Sequence, residues 1–403
     1  MGVIDISVIG PLASVQPGMP RRALRIRVEG PTDAASVEAT VEAGLAAVRA
    51  GAVEAGVQSL RNGVALADAG SFERLRVTSR LALAEALIHS LRGQDEEGVA
   101  ALQVADQVGM AIDELGLAAD ARAEIGYVDF LRARYDRAEL WLTDARKLGT
   151  DSAPDSTARV AKTEMYLGSI ASDRGNYGEA LAHLERALEA ARPAGEVRME
   201  AFALSMFGRV HLVRHNFDDA AQCLDLSLEL CGRSQWLAFM PWPQALRGEV
   251  ELGRSKPATA SEFLHQAFAR ACQLGDPCWE GISARGLALV VEAAGQSELA
   301  FEILADARIR ANRLADPYVW LEAHILDAQS ELGRRHGHPD TASWVQSMGS
   351  LASRTGMKEF LVRSLLHAQA LGDESSGQTA RLVGSEIDNP ALAKLLGAYP
   401  TGQ

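Results

Sequence analysis

Few residues in this 403-residue chain have the types and spacing to do chemistry. His211 and His215 stand four apart, a spacing that can present two imidazoles to one metal ion from a helix face. No third ligand lies near them in sequence, and structural roles at a helix end and in a turn are expected instead. His336-Gly337-His338 precedes Pro339 in a polar turn, where a solvated loop is expected rather than a chelate. HExxH, GxSxG and the glycine-rich GxxxxGK[ST] loop are all missing. No catalytic residue, metal ligand or cofactor is therefore assigned, and the chain reads as non-catalytic.

The sharpest local departure in composition is SQWLAFMPWP, residues 234–243. Pro241 and Pro243 each remove an amide donor, so a helix is expected to begin there. Trp236 and Phe239 then fall in a loop or short turn before it, and Trp242 at its start. Trp279, Tyr318 and Trp320 begin the next two units of the chain. In stacked units these starts come to one end of neighbouring hairpins. There the rings either pack between units or line a pocket for a peptide or a flat small molecule.

Composition narrows the classes of partner. The net charge of −13 lacks the clustered Lys and Arg that phosphate backbones require, so direct nucleic-acid binding is not expected. No apolar run reaches the roughly 20 residues of a membrane span, and the N-terminus has no signal-peptide pattern. The expected location is cytoplasmic, without membrane contact. Cys223, Cys231, Cys272 and Cys278 form no CxxC pair and are expected as buried, reduced thiols.

The elements that position these residues are legible as repeats. Gly56, Gly98, Ala138, Ala180, Ala220, Ala260 and Ala300 follow one another at intervals of 40 or 42 residues. Twelve residues before them stand Gly44, Ala86, Gly126, Gly168, Gly208, Gly248 and Ala288, and four after them a leucine each time, from Leu60 to Leu304. Turn signals such as Gly175-Asn176 and Gly295-Gln296 precede the second helix of the unit. An imperfect eighth unit runs from Asp316 through Gly356, and a further helix and a short capping segment follow. Residues 1–31 differ: Val3–Ile9 and Leu24–Val28 read as two short strands. With no third strand to pair with, exchange between two copies, and so a homodimer, is left open.

Leu167, Gly168, Ala180, Leu184 and Ala187 occupy the positions of a tetratricopeptide repeat, which this unit resembles, although Glu164 and Ala171 replace the family's first-helix aromatics. The resemblance implies an all-α, right-handed α-solenoid of about eight hairpins. It further implies a concave groove lined by first helices. Carried onto this chain, the groove positions are Tyr127, Lys162, Met165, Phe202, Arg209, Trp242, Glu249, Ile282 and Arg285. Their charges either hold a polar-tipped ligand or an acidic peptide end, or pair with one another. These positions other than Ile282, together with Trp236, Phe239, Trp279 and Trp320, form the candidate binding set of twelve.

The long period and the Asp276-Pro277 and Asp316-Pro317 helix starts, in GDPCWEGISARGLALVVEAAG and LADPYVWLEAHILDAQSELG, resemble the repeat region of actinobacterial transcriptional regulators of the LuxR and antibiotic-regulatory classes. That likeness spans roughly residues 33–390 and carries neither their ATPase nor their DNA-reading domain. The domain plan is an extended segment at 1–31, repeats at 32–372, and a cap and tail at 373–403. The reading is a regulatory scaffold that binds a protein or peptide partner, or a small effector, in its groove. The alternatives are a protein that sequesters an aromatic natural product, or an enzyme using scattered residues such as Tyr127, His211 and Glu249.

Overall fold

In a computed structural model the described residues are 33–91, 93–150, 156–313 and 317–398. Nineteen α-helices and no strand lie among them. Successive helices pair as hairpins: α1 (Ala34–Arg49) with α2 (Val53–Ala69), α3 (Glu73–His89) with α4 (Asp95–Ala111), α5 (Leu115–Leu131) with α6 (Tyr135–Thr150), α7 (Ser156–Arg174) with α8 (Tyr177–Ala194), and α9 (Val197–Val213) with α10 (Phe217–Arg233). The series continues with α11 (Pro241–Gly253) and α12 (Pro257–Leu274), α13 (Pro277–Ala293) and α14 (Ser297–Ala311), α15 (Val319–His336) and α16 (Thr341–Thr355), then α17 (Lys358–Ala370) and α18 (Glu374–Gly384). A last helix, α19 (Pro390–Ala398), follows.

The strands expected at Val3–Ile9 and Leu24–Val28 lie outside the described residues. A ninth hairpin, α17 with α18, adds to the eight read from sequence. Ala380 is fully buried there, but Gly384 stands where the register calls for leucine, so the column broke before the packing did. Cys231 and Cys278 are buried thiols, whereas Cys272 lies at the surface on the outer face of α12, contrary to expectation. No described helix is long and apolar enough to cross a membrane.

The three sequence columns are one contact. A Cβ at Gly208 would sit 2.5 Å from Leu224 Cγ and 3.3 Å from the carbonyl oxygen of Ala220, and Gly168 and Gly248 meet Leu184 and Leu264 in the same way. Small residues at the first two columns let the two helices of a hairpin approach until leucine covers the first helix backbone. Each hairpin turn also repeats. Gly175, His215, Ser255 and Gly295, 40 residues apart, adopt left-handed φ values of 82, 62, 60 and 81°. The next residue's N–H then reaches five residues back, as from Asn176 to Ala171 and from Asn216 to His211, both at 2.8 Å.

Second helices bury one face and first helices bury nearly all of theirs. In α8 the buried residues are Tyr177, Ala180, Leu184, Ala187, Leu188, Ala190 and Ala191, while Glu185 and Glu189 face out. In α13, by contrast, burial is almost continuous from Pro277 to Gly286. First helices are therefore an inner layer, enclosed by second helices and by one another. Contacts also join hairpins distant in sequence. The Leu237 amide donates to the Arg49 carbonyl at 3.1 Å, and Ala238 packs among Val48, Val53, Leu83 and Leu87. Near the C-terminus, Tyr177 donates to Glu359 at 2.5 Å, and Asn389 Nδ2 donates to the Val213 carbonyl at 3.1 Å.

Glycines within the helices separate propensity from packing. Gly208→Ala gains about 1 kcal/mol of helix propensity but overpacks against the fully buried Leu224, which costs about 1–3 kcal/mol, so a net loss of about 1 kcal/mol is expected. Gly232→Ala, in α10 with nothing within 4 Å of the new methyl, should gain about 0.5–1 kcal/mol. Urea unfolding midpoints of the two variants should move in opposite directions.

Candidate functional site

Inside the layer of first helices, charged side chains are joined across successive units. Asp173 of α7 meets Arg209 of α9 at 2.5 Å, Glu249 of α11 meets Arg285 of α13 at 2.6 Å, and Asp327 of α15 meets Arg363 of α17 at 3.4 Å. In each pair the acid precedes the base by 36 residues, one 40-residue unit less one helical turn of about four residues. Glu124 of α5 and Lys162 of α7, 2.9 Å apart, are separated by 38 because that unit is 42 long. Equivalent faces of neighbouring first helices, offset by a turn, thus carry opposite charges.

Burial makes these pairs demanding. Arg209 and Asp173 are 1% and 0% exposed, and Asp173 also accepts hydrogen bonds from Tyr135 and Tyr318 at 3.1 Å. Burial lifts the Asp173 carboxyl, with Arg209 and the two tyrosines opposing it. Burial would also raise Glu249, but Arg285 and His324 outweigh it and hold that carboxyl at about 2. For Glu124, Lys162 and His89 likewise overcome burial and keep the carboxyl well below its usual range. Lys162, which burial alone would depress, is raised by Glu124 and Asp120.

Aromatic rings fill the space between the charge pairs. His89, Tyr127 and Tyr166 stack as a cluster, with Tyr127 4.5 Å from each of the other two ring centroids. Phe202 meets Phe239 at 5.0 Å, Phe239 stacks on Trp236 at 4.3 Å, Trp242 leans on Trp279 at 5.0 Å, and the Arg209 guanidinium lies 4.5 Å over Trp320. Met165 is fully buried beside Ser169.

Of the twelve candidate residues, nine lie in this packed interior: Tyr127, Met165, Arg209, Phe239, Trp242, Glu249, Trp279, Arg285 and Trp320. The other three, Lys162, Phe202 and Trp236, border a cavity of about 620 Å³ on the inner faces of α3, α5, α7 and α9. Tyr127 and Glu249, grouped with His211 in the enzyme reading, belong to separate networks: His89 and Tyr166 surround one, Arg285 and His324 the other. His211 stacks on Phe207, His215 on Phe217, and His338 packs between Phe301 and Trp344.

The cavity wall carries both signs of charge. Glu124 accepts from Tyr166 at 2.9 Å and meets His89 Nε2 at 2.8 Å, making a four-membered cluster with Lys162. Arg159 is held by Asp120 at 3.3 Å and by the Gly116 carbonyl at 2.9 Å. Arg49, Glu85 and Arg198 complete the wall around Trp236. None of these except Lys162, Phe202 and Trp236 was singled out from sequence. The Glu124 and Lys162 spacing was an available signal, but the approach of Arg49 to Trp236 depends on the contact between α1 and the turn before α11, which has no periodic signature. A second cavity, about 650 Å³, lies among α15, α17 and α19, where Asp327, Arg363 and His367 pair with one another.

With this geometry in hand, the chain can be compared with known proteins. A tetratricopeptide repeat family model matches residues 159–232, spanning α7 to α10. A crystal structure of Rap protein complexed with Competence and Sporulation Factor aligns with a TM-score of 0.57 at 12% identity, covering 80% of this chain and 93% of that one. Aspartyl phosphate phosphatase F from Bacillus subtilis aligns at 11% identity over 80% of this chain and 96% of that one, with a TM-score of 0.47. No curated protein matches the sequence. The chain is a tetratricopeptide-like helical repeat protein.

Removing one member of a buried pair strands the other. Arg209→Met should cost about 3–5 kcal/mol in urea unfolding, and the double change Asp173→Leu with Arg209→Met should recover much of that loss. A double variant no better than the single would show that the arginine acts through packing on Trp320 rather than by neutralising Asp173.

Acid should weaken the Glu249 pair. Its folded-state value lies below the unfolded one of about 4.3, so its stabilisation is present above that pH and is lost as pH falls toward about 2. The stability difference between wild type and Glu249→Gln should therefore be largest above pH 5 and shrink between pH 4.5 and 3. A difference that stays constant over that range would sink this assignment.

Proposed function

We propose that the protein is a non-catalytic interaction scaffold that takes a short peptide, or the end of a partner protein, into the cavity bordered by Lys162, Phe202 and Trp236. The observation that carries this reading is the cavity itself. About 620 Å³ is space for a few residues, and its wall offers apolar faces from Phe202 and Trp236 beside fixed charges of both signs. Those charges are held by their neighbours before any ligand arrives, which lowers the cost of ordering on binding. The repeat architecture supports the reading, since stacked hairpins present concave surfaces of this kind.

The Rap structure adds an analogy of fold: that protein was crystallised with Competence and Sporulation Factor. A regulatory role, as in the actinobacterial regulators whose repeat region this chain resembles, belongs to the same proposal. A pocket for an aromatic natural product built from the central tryptophans finds less support, because Trp242, Trp279 and Trp320 are buried against one another and none borders the cavity.

The test is affinity selection on the full-length protein with a random hexapeptide library, followed by a variant that fills the cavity mouth. Ala158 borders the cavity from the first turn of α7 and belongs to none of its hydrogen-bonded clusters. Ala158→Trp should reduce affinity for selected peptides about tenfold or more while leaving the melting temperature within a few degrees. Selected peptides that bind this variant as well as the wild type would place their site elsewhere.

A further inference from the structure

The cavity has one corner where two arginines face a single carboxylate, Glu85. Arg49 ends α1, and its buried Nε has no hydrogen-bond partner. Arg198 stands in the first turn of α9, with its guanidinium 5.7 Å from the Trp236 ring centroid. The nearest carboxylate to Arg198 is Glu85, 3.6 Å away and itself 47% exposed, too far for a hydrogen bond. Both arginines, with Glu85, His89 and Trp236, also line a small recess that continues from the main cavity. The contrast lies within one cavity: Arg159 and Lys162 on the opposite wall each hold a carboxylate at 3.3 Å or less.

The corner is built rather than incidental. The Arg49 carbonyl accepts the Leu237 amide at 3.1 Å, and Val48 packs against Ala238, so the end of α1 is clasped by the turn that carries Trp236. Trp236 is in turn stacked on Phe239 at 4.3 Å. Three elements distant in sequence thus converge on two arginines. Burial lowers the Arg198 guanidinium below its usual value; Glu85 opposes this without cancelling it, and the charge of Arg49 adds to the lowering. A group that delivers one negative charge here relieves both effects.

We propose that Arg49 and Arg198 form an anion subsite that receives the C-terminal carboxylate of a short peptide, with its last side chain against Trp236 and Phe202. This rests on the peptide reading of the cavity and names the end of the peptide that enters the corner. A carboxylate fits better than a polyanion, because Glu85, Asp120, Glu124 and Glu196 also border the cavity and the chain as a whole carries −13. A guanidinium fork matches a carboxylate with two parallel hydrogen bonds.

Two matched random hexapeptide pools test the subsite on the full-length protein. Both pools lack Asp and Glu; one has free C-terminal carboxylates and the other is amidated. The free-acid pool should be retained about tenfold or more over the amidated pool, and Arg49→Gln and Arg198→Gln should each abolish most of that preference. Because the Arg49 Nε has no hydrogen-bond partner and Arg198 makes only a long contact to the half-exposed Glu85, neither substitution should lower the melting temperature by more than a few degrees. A fall of ten degrees or more would make them structural and overturn the subsite. If both pools bind equally and Ala158→Trp blocks both, peptide binding stands and the anion subsite fails. If neither pool binds the wild type, the peptide reading fails and the subsite with it.

Discussion

The constraint on which this solenoid depends is that a charge placed inside it must be answered from the neighbouring unit. Asp173 with Arg209, Glu249 with Arg285 and Asp327 with Arg363 link α7 to α9, α11 to α13 and α15 to α17. Each link specifies register, because a shift of one helical turn would part the charges and leave both buried without a partner, at a cost of several kcal/mol. Hydrophobic columns alone are more tolerant, since leucine and alanine slide past one another at little cost. The charge pairs therefore supply what an Ala- and Leu-rich interface lacks, a unique offset between successive hairpins.

The same constraint explains where the cavity lies. Between the charge pairs the space is taken by rings, from Tyr127 and Phe202 through Trp279 to Trp320 and Phe360, which leaves little room for a ligand in the middle of the chain. At α3 to α7 the arrangement changes. Glu124 and Lys162 still pair, but the facing element is the clasp between α1 and the turn before α11, which brings Arg49 and Trp236 to the wall. The cavity opens there, where repeat packing gives way to contact between distant units.

Much of the fold could be read from sequence because its contacts are periodic. Gly208, Ala220 and Leu224 stand at fixed offsets because they touch, and the same three offsets recur down the chain. The interior charges obey a period as well, and Glu249 and Arg285 were visible as candidates. Residue type alone leaves each of them either a groove anchor or a partner; the offset of one unit less one turn is what pairs them. For the cavity, sequence supplied Lys162, Phe202 and Trp236 but not Arg49, His89 or Arg198. Those residues meet only because α1 and the turn before α11 converge, and closure over almost two hundred residues leaves no repeating trace.

This asymmetry bears on how the molecule responds to a ligand. The charge pairs lie between adjacent hairpins, and Tyr318 and Trp320 at the start of α15 reach back to Asp173 and Arg209, so this interior core does not depend on the clasp. The cavity corner exists only while the Arg49 carbonyl holds the Leu237 amide and Ala238 fills its place among Val48, Val53 and Leu87. One hydrogen bond and one small apolar cluster make a weak clasp beside the core of the repeats, and elements held by few contacts open at lower free energy than the whole. A ligand seated against Arg198 and Arg49 touches both sides of that clasp and so binds the closed form in preference to the open one. By linkage, its binding free energy is added to the clasp and not to the repeats. Closure between α1 and the turn before α11 is thus the element of the structure whose equilibrium occupancy of the cavity can set.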